Sequence, residues 1–489
     1  MNGPHLQFRE FLDSHEEWIA VHRDGSIFAL RSHEMEFEDS GHGALFGFLD
    51  RKGYVTWRLE AVEIEERRAV LDLSRRFGSV SETLELIPRA AAEELGADVR
   101  EARLAAANEI GDAVKRAFGG MKLKRVVMNR PNARFARIIL DGGGLGENGI
   151  LADVSGTGTP ERLITAAVLW KNRIDKSRSS TIPKIWILAR RGKLAATKRL
   201  HACLFAPFRK SIGILATGSR DGNGSFEIKP AGGMRFEKLW NGPAPGLGES
   251  KRMDHTSDSR RIAELDPLSV DHLFAKNGIT LRYKGLSFAR FRELHGYDRC
   301  WFGVEKDREL LGEENLHELE NLFGSLREYR RHDSPNKQHL YYQAAPEAWL
   351  ESILRKDVKK LDRNLVLSPV YNQFRTSRDR IDLLALSETG RLVIIELKVS
   401  NDTSMVFQAV DYWRRIEHQR RNGVLSSAGL FGERKIEDVP AMIYLAAPAL
   451  CFGSDVDSLV NAVRKDIRIV RFELNEDWRR EVKVVKVSS

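Results

Sequence analysis

The order of elements after residue 340 constrains this chain most. A helix-like stretch at 346–361 leads into strand-like runs at 380–386 and 391–398, then a helix at 404–420, a strand at 441–446, a helix at 455–465 and a strand at 467–473. Strands alternating with helices of this length call for a mixed sheet covered by helices. Residues 340–489 therefore read as one compact α/β domain. Within it, "RIDLLALSETGRLVIIELKVS" (380–400) sets Glu396 and Lys398 into the most apolar run of the region. Residues two apart on a strand face the same side, so these two charges project together while Val393, Ile395, Leu397 and Val399 project oppositely. If Ser387-Glu388-Thr389-Gly390 is a turn, the preceding strand pairs antiparallel and brings Asp382 to the same place.

Two carboxylates held close repel each other. A divalent cation relieves that repulsion and leaves positions for water and a phosphate oxygen. Mg²⁺ is the expected occupant, with Mn²⁺ an alternative. The plain structural reading is a surface ion pair on an edge strand, which contributes little. The flanking "LVII" argues instead for a central strand, where uncommitted charge is costly.

Asp382, thirteen residues, then Glu396-Leu397-Lys398 on an apolar strand resembles the core signature of the PD-(D/E)XK nuclease superfamily. The helix "PEAWLESILRKDVKKL" places Glu347 and Glu351 one turn apart and resembles the helix that supplies the superfamily's first acidic ligand. Its "LE" context, similar to NucS-type mismatch-endonuclease domains, favours Glu351. In "FQAVDYWRRI", Gln408 and Tyr412 are similar to the Gln and Tyr that follow the ExK strand in those domains. One departure is that Arg380-Ile381 precedes Asp382 where the superfamily name expects a proline. The resemblance implies a restriction-endonuclease-like fold and a metal-dependent endonuclease of DNA-repair or defence type. It further implies that Glu351, Asp382, Glu396 and the Leu397 carbonyl hold Mg²⁺. Lys398 would then act on the attacking water, and Gln408 would orient the assembly or contact the scissile phosphate. Tyr412, Arg414 and Arg415 are candidates for the nucleic-acid backbone; for Arg414, Arg415, Arg420 and Arg421 a solvated helix face is the competing reading. Trp413 reads as a core aromatic. A nucleic-acid-binding or regulatory protein that keeps the fold without turnover is the alternative function.

The rest of the chain is read more coarsely. Residues 1–94 alternate in the manner of strands and form a β-rich unit. Residues 95–218 open on an Ala-, Glu- and Arg-rich helix and continue as α/β, with apolar runs "RIIL", "GILADV", "KIWILA" and "SIGILA". Residues 219–261, dense in Gly, Ser and Pro, read as a linker or long loop. Residues 262–339 read as a helical connector. The whole is a mixed α/β multidomain fold.

Sliding the 380–415 segment back by 243 positions sets it against "RIILDGGGLGENGILADVSGTGTPERLITAAVLWKN". Arg380 then falls on Arg137, Ala409 on Ala166 and Trp413 on Trp170. The chemistry does not carry over: Asp382 falls on Ile139, Lys398 on Ser155 and Gln408 on Thr165, and only Glu396 meets an acid, Asp153. Residues 95–218 are thus expected to be a degenerate nuclease-like domain serving binding or dimerisation. The glycine run 141–149 lacks GKS/GKT and any GxGxxG leading into a helix, so it reads as a hairpin connection.

Lys plus Arg number 78 against 69 Asp plus Glu, a formal charge of +9. That excess favours an anionic partner: DNA, with RNA as the alternative. Cys203, Cys300 and Cys451 are far apart and match no zinc-ligand spacing. Without an apolar leader or an apolar run near 18 residues, the expectation is a soluble cytoplasmic protein with no membrane partner. A homodimer is left open.

Overall fold

The computed structural model describes residues 4–489 except 23–26, 41–42, 51–52, 66–67, 76–79, 90–91, 120, 129–133, 143–145, 156–157, 178–181, 221–225, 245–256, 276–277, 295–296, 305–308 and 369–381. The described residues form a mixed α/β multidomain fold with four sheets. The chain divides into two compact units. One comprises Met1–Leu163, Arg178–Leu194 and Ile212–Ala231; the other comprises Ile164–Ser177, Ala195–Ser211 and Gly232–Ser489. No described helix is long and apolar enough to cross a membrane.

Residues 17–88 form a seven-stranded antiparallel sheet. Strand alternation puts Phe46, Phe48, Leu71, Leu73, Leu84 and Leu86 into one core, sealed by Phe8 of the helix Pro4–Asp13. The 26-residue helix Ala92–Ala117 follows.

The second sheet contains, in spatial order, Lys122–Met128, Phe135–Asp141, Glu147–Asp153, Lys184–Ala189, Ile212–Arg220 and Phe226–Pro230. The last strand lies inside the segment read as a linker. Its Ile228 joins the core, which a solvated loop would not do. The rest of that segment includes the helix Ser257–Glu264, while 221–225 and 245–256 lie outside the described residues.

Residues 262–339 are not a helical connector. They carry a five-stranded antiparallel sheet, Val270–Leu310, before the helix Leu316–Tyr329. "GITLRY" and "LSFARF" are joined at Lys284-Gly285, both at positive φ (44° and 83°), the backbone of a tight hairpin turn. A Cβ on Gly285 would meet the Ala348 carbonyl oxygen at 2.0 Å, so this turn abuts the helix Pro346–Lys356.

The C-terminal sheet runs Leu365–Leu367, Leu383–Ser387, Leu392–Leu397, Met442–Pro448, Ile469–Leu474, Val484–Ser488. Every residue of Leu392–Leu397 is buried, as expected of the middle of a two-sided sheet. The helix Pro346–Lys356 ends five residues before the end read from sequence, and the two short edge strands are additions to that reading.

The two six-stranded sheets share one plan. In each, the first three strands pair antiparallel, the third, fourth and fifth pair parallel, and the sixth returns antiparallel. In each, a helix crosses from third strand to fourth and another from fourth to fifth, the connections that parallel neighbours require.

Candidate active site

Leu383 pairs with Ile395 and Leu386 with Leu392, so extending the register by one places Asp382 opposite Glu396. The Leu397 N–H donates to Asp382 Oδ2 at 2.8 Å, which fixes that carboxylate at the strand end. On the other side Glu396 pairs with Leu445, and the Lys398 N–H donates to the Ala446 carbonyl. Both flanks of the ExK strand are therefore held by backbone.

The face predicted from alternation is present. Lys398 Nζ donates to Glu396 Oε1 at 3.0 Å, and the two residues are 8 % and 2 % exposed. Glu347, in the first turn of Pro346–Lys356, brings Oε2 to 3.7 Å from the same ammonium. Burial alone would lower the Lys398 pKa, but Glu396, Glu347 and Asp382 together raise it above the ordinary lysine value. Lys398 is thus a fixed cation and a hydrogen-bond donor. Burial, and then the charge of Asp382, pushes the Glu396 carboxyl well above the usual carboxylate range, with Lys398 only partly offsetting them.

One carboxylate oxygen, Glu396 Oε2, is buried with no hydrogen-bond partner among the described residues, and so is Oε1 of Gln408 in the first turn of Met405–Arg421. Unpartnered buried acceptors are costly, and a cation would relieve them. Among the described residues no three His, Cys, Asp or Glu side chains are gathered to hold a metal by themselves. Asp382, Glu396 and main-chain oxygen are the donors this strand end can offer a hard cation, a set that suits Mg²⁺ and leaves positions for water.

Glu351 stands apart from this group. Its two oxygens each lie 3.3 Å from a guanidinium nitrogen of Arg282 on the five-stranded sheet, with both side chains buried. Four residues along a helix is about 6 Å of rise. Glu347 and Glu351 therefore share a face but not a neighbour, and Glu347 is the one beside Lys398. Residues Arg380 and Ile381, which replace the expected proline, lie outside the described residues.

The basic helix after the ExK strand is largely internal, so neither solvated face nor free phosphate contact describes Arg414. That residue is 8 % exposed and donates through Nε and Nη2 to Asp411 Oδ1 at 3.0 and 2.9 Å. Arg415 pairs with Asp411 Oδ2 at 2.6 Å and is partly exposed, as is Tyr412. Arg420 is buried against Glu417, and Arg421 lies over the Trp240 ring. Trp413 is a core residue, its Nε1–H donating to the Ala441 carbonyl. Asp411 and Glu417, the counter-ions of this helix, sit three residues before Arg414 and Arg420, a spacing that signals such pairing.

At the matching place in the second sheet, Asp153 is equally buried but fully engaged. Its Oδ1 accepts from the N–H and hydroxyl of Ser155 (3.0 and 2.7 Å) and its Oδ2 from the Gly158 N–H (2.9 Å), with Lys193 Nζ at 3.7 Å. Phe135 pairs with Asp153. The residue at the Asp382 position is therefore Phe135 rather than Ile139, because this hairpin runs two residues further on each strand before turning.

No protein-family model matches the sequence, and comparison with curated proteins finds no match. Among solved structures, EndoMS in its apo form is similar at 12 % identity over 37 % of this chain and 82 % of that chain, with a TM-score of 0.12. A likeness at that TM-score carries no argument, and the functional reading rests on the geometry of the site.

Proposed function

We propose that the C-terminal domain hydrolyses phosphodiester bonds of DNA with Mg²⁺, Mn²⁺ being able to substitute. The observation that carries this reading is Glu396. It is an acid on a fully buried central strand, placed opposite Asp382 and bonded through one oxygen to Lys398, while its other oxygen is left without a partner. A chain using these charges only for stability would pair both oxygens, since an unmet buried acceptor costs about 1–3 kcal/mol.

Asp382 and Glu396 would hold the cation with the Leu397 carbonyl, and Glu347 is the helix acid nearest to them. When bound, Mg²⁺ supplies Lewis acidity and a more acidic water. Lys398, whose ammonium lies beside Glu396 and Glu347, would orient water or a phosphate oxygen by donation and stabilise charge developing on the phosphate oxygens. Gln408, whose Oε1 is buried without a hydrogen-bond partner among the described residues, would add a polar contact. Hydrolysis adds water across one P–O bond and leaves a phosphate monoester and a hydroxyl. The net charge of +9 suits a polyanionic backbone and says nothing about base sequence.

The test is cleavage of labelled single-stranded, duplex, mismatched and branched DNA, and of RNA, with Mg²⁺ or Mn²⁺. Asp382→Ala and Glu396→Ala should abolish metal-dependent cleavage, and Lys398→Ala should slow it at least about 10²–10³-fold, while the proteins stay folded. Unchanged cleavage by these variants overturns the assignment. The Lys398–Glu396 bond also supports a second reading, in which the site is neutralised internally and the fold only binds nucleic acid. Nucleic-acid binding with no divalent-cation uptake in calorimetry would favour that one.

A further inference from the structure

We propose that this chain is a fused pair of like folds with a single cutting site: one cation per chain, and one strand of a duplex broken per encounter. The inference deepens the function proposed above and rests on it.

Three independent observations converge. First, the two six-stranded sheets agree in strand order and in the sense of every neighbouring pair. Agreement in six strands with two crossover helices is much more than shared apolar patterning. Second, the acid sites differ in kind. Where the C-terminal sheet has Asp382, Glu396 and Lys398, the earlier one has Phe135, Asp153 and Ser155. Asp153 spends both oxygens on Ser155 and Gly158. A Cβ at position 158 would lie 2.8 Å from the Asp153 carboxyl carbon, so only glycine lets the turn close on that acid. Lys193 Nζ lies 3.7 Å from Asp153 Oδ2, and the Arg103 guanidinium interacts electrostatically with the same carboxylate. One carboxylate closed by amides offers a divalent ion no open pair of oxygens.

Third, within the second compact unit the segments that follow two corresponding helices meet through equivalent residues. Leu204, two residues past the helix Arg191–Ala202, bridges antiparallel to Val463, two residues past the helix Ser454–Asn461. The Phe205 N–H donates to the Ala462 carbonyl at 2.7 Å, and its counterpart, the Arg464 N–H, donates to the Cys203 carbonyl at 3.0 Å. Each bond is the other's image under exchange of the repeats. Such reciprocal bonding between corresponding segments is what two like folds share, here within one chain. A symmetric dimer would carry two cutting sites and could break both strands; this pair carries one.

The test has two arms. Mn²⁺ titration of the full chain, followed by calorimetry and by the EPR signal of free Mn²⁺, should give one tight site per chain, absent in Glu396→Gln. Two tight sites, or one surviving in Glu396→Gln, overturns the proposal. On supercoiled plasmid, at concentrations where sedimentation finds a monomer, open circles should accumulate first and linear DNA should arise only later by a second nick. Direct linearisation by the monomer overturns it while leaving the nuclease reading intact. If wild-type protein takes up one Mn²⁺ yet cuts nothing, the function proposed above fails, and the single site stands on the titration alone.

Discussion

Glu396 and Asp153 stand at matching places in two sheets of one plan, yet one is left chemically open and the other is closed. Both are buried, Glu396 as the last residue but one of Leu392–Leu397 and Asp153 as the last of Glu147–Asp153. Asp153 accepts three hydrogen bonds from residues two and five positions on, so its charge serves to fold a turn. Glu396 accepts one from Lys398, keeps an unmet oxygen and is pushed toward its protonated form. A buried acid needs enough local donors to be structural. Where they are missing the charge must be met by something else, and at Glu396 the arrangement suits a cation and a phosphate.

Several substitutions would break or sharpen that contrast. The largest effect is expected at Glu396 and Asp382, where alanine should bring Mg²⁺-dependent cleavage below detection; Lys398→Ala should cost at least about 10²–10³ in rate, as loss of a preorganised charge stabiliser does. Asp153→Ala should leave cleavage by folded protein unchanged but lower stability by about 1–3 kcal/mol in chemical denaturation, because the Ser155 and Gly158 amides lose their acceptor. A loss of cleavage in folded Asp153→Ala would erase the distinction between the two acids.

Glu351→Gln separates the two helix acids. Breaking its buried pairing with Arg282 should cost about 3–5 kcal/mol of stability, while Mn²⁺ affinity at temperatures where the protein is folded should hold. Loss of Mn²⁺ binding in folded Glu351→Gln would return Glu351 to the cation site. Gly285→Ala should also destabilise the chain, since φ of 83° and the Ala348 carbonyl both oppose a Cβ.

The smallest effect is in pH. The Glu396 pKa is raised in the cation-free fold, so the folded state holds this proton more tightly than an unfolded chain does. Its contribution to stability is complete below the ordinary carboxylate range and is lost as pH rises through the raised value. A cation must displace that proton, so Mn²⁺ affinity should rise with pH over the same interval, with proton release measurable by calorimetry in buffers of different ionisation enthalpy. An affinity flat across that interval would mean that Glu396 is already ionised without metal.

The strand-borne part of this site was legible in the sequence because alternation by two is unforgiving: Glu396 and Lys398 had to share a face, and the turn at 387–390 had to bring Asp382 across. The helix acid was not. Spacing by four tells which side of a helix a residue faces, but not which partner waits there, and the partner of Glu351 is Arg282, 69 residues earlier. That partner lies in a stretch misread as helical. The helix-like "ENLHELENLFGSLREYRR" at its end sets that reading, while "GITLRYKGLSFARF" before it forms paired strands. The internal pairing of Arg414 and Arg420 was hidden for a similar reason. Asp411 and Glu417 are visible in the sequence, but the burial of Arg414 and Arg420, and the packing of Phe236 and Trp240 on Trp413, are tertiary facts. The one-letter match of Asp382 to Ile139 failed because an ungapped shift cannot register a hairpin that is longer on both strands.

The most direct measurement is the anomalous scattering of Mn²⁺ in crystals of the full chain soaked with that ion. The account predicts one strong peak per chain, bonded to Asp382 and Glu396 and lost in Glu396→Gln, with no peak at Asp153. A peak at Asp153, or none at Asp382 and Glu396 under conditions that support cleavage, would contradict it.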